Sequence, residues 1–144
     1  MKSRMASKGP DPTKLGRWTW IRIEGKTDES TVFVSAHRPC KSTSGIDTVW
    51  NQHARYYQDE REIEEPDVHA LFLVDLCKTL SNFRDFGHHV VLGMDADDDV
   101  RDGDVSAALT EIGIVEAVIK NHKGESVPAT CATRNTQRKP IDSI

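Results

Sequence analysis

The spacing of apolar positions changes along this chain, and each spacing predicts an element. Between Arg17 and Ile23 apolar residues alternate with Arg and Thr, as Trp18, Trp20 and Ile21, Ile23. Thr31 to Ala36 is a second β-branched and aromatic run, and the polar segment over 24–30 between the two has hairpin length. This pattern predicts two antiparallel strands. A Pro, Ser and Gly-containing loop follows over 39–45. Trp50, Ala54 and Tyr57 then share one helical face and predict a helix over 48–60. Val68, Leu71, Phe72, Leu76, Leu80 and Phe83 recur at three- and four-residue spacing, the strongest helical signal in the chain. Pro66, with Glu65 and Asp67, suits the positive end of that helix, and Gly87 suits its stop. Val90 to Met94 predicts a short buried strand. A third helix is expected over 105–112, with Asp104 as N-cap and Gly113 past its end. Short extended pieces are expected near 129–132 and 140–144. Strands come first, then helices and strands mixed, and no Gly-rich phosphate loop opens a helix. The expectation is an α+β or layered sandwich fold rather than a Rossmann unit.

A length of 144 residues suits one domain or part of one. Residues 1–14 are polar and basic and lack the apolar stretch of a secretory signal, so they read as a disordered lead-in to a domain over 15–144. No run of about 18 apolar residues is present, so no membrane span is expected. Cys40, Cys77 and Cys131 are odd in number and lack CxxC spacing. That argues against a disulfide framework and a zinc site, and makes a reducing, intracellular setting the expectation. The net charge of −4 is not that of a surface gripping nucleic acid by its own basicity. Local basic spots do occur at Lys2 to Lys14 and Arg134 to Lys139. A cation among carboxylates would also invert the local field.

The chemistry concentrates after the Val90–Leu92 run, where Asp95, Asp97, Asp98 and Asp99 fall within five residues. Carboxylates delivered by a buried strand need donors or a cation. A hard, oxygen-liganded ion suits them best, the alternative being a solvated acidic turn. An EF-hand loop fails, because Val100 stands where Gly is needed and Ser106 where Glu is needed. An aspartyl-nucleophile phosphatase would use Asp95 as nucleophile. That pattern wants Thr or Val two residues after the second Asp, where Asp99 stands.

A third scheme draws on more of the chain. Gly93-Met94-Asp95-Ala96-Asp97 resembles the Gly-Asp-x-Asn element of the endonuclease/exonuclease/phosphatase superfamily, with Met94 as an extra residue. Phe33 to Pro39 resembles the family strand that ends on a phosphate-contacting His or Tyr. Ala129-Thr130, and Pro140-Ile141-Asp142-Ser143-Ile144 after a basic loop, resemble its late strands. Leu15 to Trp18, Arg38-Pro39 and Val49 to Gln52 look like the retroelement, reverse-transcriptase-associated branch. The resemblance covers roughly residues 15 to 144. It implies an α+β two-layer β-sandwich with flanking helices, incomplete at both ends. It also implies Mg²⁺- or Mn²⁺-assisted hydrolysis of a phosphodiester in nucleic acid. Asp95 would orient the attacking water and, with Asp97, hold the metal. His37 would contact the phosphate and Asp142 would orient the site, with Arg38 as a substrate-binding candidate. In the basic loop over 134–139, Asn135 is a further substrate-binding candidate, a plain solvated loop being the alternative. Asp97 departs from the family Asn, and an ionised carboxylate accepts but cannot donate. The family's first metal-binding Asn, its metal-binding Glu and its Ser-Asp-His tripeptide have no counterpart here. A fragment with impaired activity, self-associating through exposed sheet edges, is therefore expected. A non-catalytic remnant or binding module is the alternative. His88 or His89 is a further ligand candidate, whereas His53, His69 and the tryptophans read as packing or rim residues.

Overall fold

The predicted hairpin is the centre of the fold. β2 (Trp18–Glu24) and β3 (Ser30–His37) pair antiparallel, with Trp20 opposite Val34 and Ile21 opposite Phe33. The computed structural model describes residues 4–42, 45, 47–98, 103–121 and 142–143. Around the hairpin lie β1 (Met5–Pro10), α1 (Val49–Arg61), α2 (Val68–Asp85), β4 (His89–Asp95), α3 (Asp104–Glu111), α4 (Ala117–Asn121) and β5 (Asp142–Ser143). The strands form one mixed sheet in the order β1-β2-β3-β4-β5. β4 runs parallel to β3 because the α1–α2 crossover joins them, while β1 and β5 join antiparallel.

Period-two alternation gives the sheet two unlike faces. Trp18, Val32, Val34, Ala36, Leu92 and Met94 point to one side and bury against Phe72, Leu73, Leu76 and Leu80 of α2 and Val105 and Leu109 of α3. Edge-on aromatic contacts, Trp18–Phe72 at 6.0 Å and Trp20–Phe83 at 5.1 Å between centroids, join sheet to helix. On the other side Ile21, Phe33 and Val91 stand in one row across three strands and remain 37–45% exposed. The two helices of the crossover start as local chemistry requires. Thr48 Oγ1 accepts from the Asn51 amide at 3.2 Å, and Asp67 Oδ1 accepts from the Ala70 amide at 3.0 Å.

Two expectations are corrected. Part of the lead-in expected to be disordered, Met5–Pro10, is an edge strand on β2. Gly9 permits the close approach there, since a Cβ at that position would press on the Trp20 indole. The described residues form one mixed sheet with helices packed on one face, an α+β arrangement. The N-cap of α3 is Gly103, not Asp104. Among the described residues no helix is long and apolar enough to cross a membrane.

Candidate active site at the strand ends

A parallel pair ends with both strands pointing the same way, and the crevice beyond the carboxyl ends of such strands is where open α/β sheets bind ligands. In this fold His37 closes β3 and Asp95 closes β4, directly opposite one another. Both side chains lie on the open face, 55% and 65% exposed, with His37 Nε2 3.9 Å from Asp95 Oδ2. On the far side of β4 the register sets residue 142 opposite Asp95. Positions 37, 95 and 142 thus form one row at one end of the sheet. The Arg38 amide donates to the Asp95 carbonyl and the His37 amide to the Arg17 carbonyl, each at 2.9 Å. These bonds fix the backbone on both sides of the row.

The next aspartates diverge. Ala96 is buried, and Asp97 turns into the left-handed region at φ +47°, which a short polar side chain tolerates. Partial desolvation and the nearby charges of Asp97 and Asp95 raise the Cys40 thiol above its ordinary value. Asp98 turns inward. Its Oδ2 accepts from the Val105 amide at 3.0 Å, at the positive start of α3, and lies 3.4 Å from Arg38 Nη1. A Cβ on Gly103 would overlap that carboxylate. Arg38 is itself buried, so its guanidinium secures α3 and does not project over the open face. Asn135 lies outside the described residues, as does the predicted strand at 129–132.

Among the described residues no three His, Cys, Asp or Glu side chains converge as a metal site. Mg²⁺ needs only one or two carboxylates, completing its shell with water and substrate phosphate. Asp95 is exposed and stands opposite position 142 in the ladder.

The remaining histidines near this end are structural. His69 Nε2 donates to the Pro39 carbonyl at 2.9 Å and packs edge-on against Trp50, holding the loop after β3. His53 is buried and neither ring nitrogen has a hydrogen-bond partner. Burial, and then the charge of Arg17, hold its pKa below the ordinary imidazole value.

The feature that sequence reading missed is the charged cluster beneath the row. Arg17, with a side chain 1% exposed, donates through Nε to Asp11 Oδ2 at 2.6 Å and through Nη2 to Asp11 Oδ1 at 3.0 Å. Its Nη1 reaches Asp75 Oδ2 at 2.6 Å and the Tyr57 hydroxyl at 2.7 Å. Arg61 closes the cluster with two bonds to Asp75, at 2.9 and 2.8 Å. Burial pushes Asp11 up, but the hydrogen bonds from Arg17 and Thr13 outweigh it and leave the carboxyl below its ordinary value. Burial raises the Tyr57 phenol to about 12. The sequence does hold a signal for this cluster. Asp75 sits three residues after Phe72 and one before Leu76, a carboxylate at the margin of an otherwise apolar stripe. The cluster matters to the row because the Arg17 carbonyl is what the His37 amide binds.

No family model matches this chain, and no curated protein and no solved structure gives a significant match to it.

Proposed function

We propose that the strand-end row is a phosphodiester-hydrolysing site of the endonuclease/exonuclease/phosphatase type, acting on nucleic acid with Mg²⁺ or Mn²⁺. The observation that carries this reading is the shared register of His37, Asp95 and residue 142 at the carboxyl end of the parallel pair. Asp95, with position 142 beside it in the ladder, would hold the ion. When bound, the ion would polarise the phosphoryl group and stabilise the leaving oxygen. The chain's own residues supply the rest. An Asp95 carboxylate oxygen left free accepts a proton from the attacking water and orients it. His37, 3.9 Å away and exposed, donates to a phosphate oxygen from Nε2. Asp97, past the end of β4 and in the left-handed region, stands at the margin of this row. The test is nicking of supercoiled plasmid and cleavage of single-stranded DNA and RNA oligonucleotides, with Mg²⁺ and with EDTA. Metal-dependent cleavage lost in Asp95→Asn and in His37→Ala supports the proposal. Folded protein without metal-dependent cleavage overturns it.

A second reading, a non-catalytic module that self-associates, is favoured by the exposed apolar row Ile21, Phe33 and Val91. An exposed apolar face invites a partner. Sedimentation of wild type and of Phe33→Ser tests it. A dimer that dissociates in the variant supports the reading, and a monomeric wild type excludes it.

A further inference from the structure

The opposite end of the sheet carries a second arrangement of polar side chains. There the β2–β3 loop and the turn between α2 and β4 enclose a cleft of about 530 Å³. Glu24 stands opposite Ser30 in the ladder, and the β3–β4 register, which pairs Thr31 with His89, brings Ser30 beside His88. The two side chains meet, with Ser30 Oγ 2.7 Å from His88 Nδ1. Arg22, one row inward on the same face as Glu24, also lines the cleft. Its Nε is fully buried and has no hydrogen-bond partner, and Arg22 joins no ion pair among the described residues. A buried guanidinium nitrogen without an acceptor is costly, and a carboxylate is the acceptor whose planar geometry matches its fork.

The charges around that donor decide what kind of molecule fits. Arg22 and Lys26 supply two positive charges, and Glu24, Asp28 and Glu29 supply three negative ones. A lone anion would meet a cleft of net negative charge, and a lone cation would leave the Arg22 donor unmet. A molecule carrying both signs satisfies both. The exposed Phe86 ring, stacked on His88, adds an apolar wall.

We propose that this cleft binds a small zwitterion of the amino-acid class. Its carboxylate sits on Arg22, and its ammonium sits toward Glu24 and the loop carboxylates. Ser30 holds His88 through Nδ1 and leaves Nε2 for the ligand. The proposal is independent of the strand-end site, which lies at the other end of the same strands.

The test is an amide chemical-shift titration of the full chain with L-alanine as probe. N-acetyl-L-alanine, which lacks the positive charge, L-alaninamide, which lacks the negative one, and inorganic phosphate serve as comparisons. L-alanine should give saturable shifts over residues 22–30 and 86–88. Each comparison compound should bind at least about ten-fold more weakly, the loss expected for one charge-assisted bond. Arg22→Gln and Glu24→Gln should each weaken L-alanine by a similar factor with the fold retained. If Arg22→Gln does not fold, Arg22→Lys keeps the charge and removes the planar fork, and should still weaken binding. No saturable shift in this region overturns the proposal. So does N-acetyl-L-alanine or phosphate binding as tightly as L-alanine.

Discussion

Replacing Asp11 by Ala tests whether the buried charged cluster holds the β1–β2 turn to the helices. The substitution removes both carboxylate oxygens that face Arg17, at 2.6 and 3.0 Å, and the acceptor for the Thr13 amide and hydroxyl. Arg17 would then remain almost fully buried with Asp75 as its nearest anion. Stranding one partner of a buried pair costs about 3–5 kcal/mol, against about 0–1 kcal/mol for an exposed pair. The surviving Asp75 contact places the expectation at the low end, about 3 kcal/mol. For a domain of this size each kcal/mol lowers the melting temperature by roughly 3 °C, so a drop of about 10 °C is expected by calorimetry. The double variant Asp11→Leu with Arg17→Met should recover much of it, because neither charge is then left alone. The pH dependence has a fixed sign. Asp11 has a folded-state pKa below its unfolded value of 3.8, so its contribution is complete above that value and fades as pH falls below it. The gap between wild type and Asp11→Ala should therefore be constant near neutrality and narrow below about pH 4. A drop of less than about 3 °C at pH 7 would show that the cluster behaves as a surface pair and refute the reasoning.

His53 gives a second pH effect. Its folded pKa lies below the ordinary 6.5, so the folded state resists protonation and wild-type stability should decline as pH falls through 6.5. His53→Leu should flatten that decline in melts from pH 8 to 5, with little loss at pH 8, since both ring nitrogens lack partners. Gly103→Ala should cost about 1 kcal/mol, because the new Cβ displaces the Asp98 carboxylate from the Val105 amide that it caps. Denaturant midpoints measure this loss. Asp98→Ala should show a comparable loss.

The parts of this fold legible in the sequence are those in which a local rule acts without competition. Alternation around Trp18 and Trp20 marks β2, and the stripe from Val68 to Leu80 marks α2. The expected end signals stand close to where the structure has them, with Asp67 as N-cap and Gly87 after Phe86. β1 was hidden because an edge strand needs little apolar pattern, and Met5–Pro10 packs mainly through Gly9 under the Trp20 ring. The capping of α3 was hidden because its acceptor, Asp98, lies seven positions before Val105 in sequence. Asp98 therefore read as one more acidic residue beside Asp95 and Asp97. The Arg17 cluster was hidden because its members come from three separate segments that only tertiary packing brings together. In the site itself, the strand ending on Asp95 is local information. Its alignment with His37 depends on the parallel register, which periodicity does not encode.

Paramagnetic broadening of amide signals by trace Mn²⁺ tests most directly whether the strand-end row acts as one metal-binding corner. Broadening centred on residues 37, 95 and 142, reversed by excess Mg²⁺ and lost in Asp95→Asn, is the expected result. Broadening centred elsewhere, or unchanged by that substitution, would contradict it.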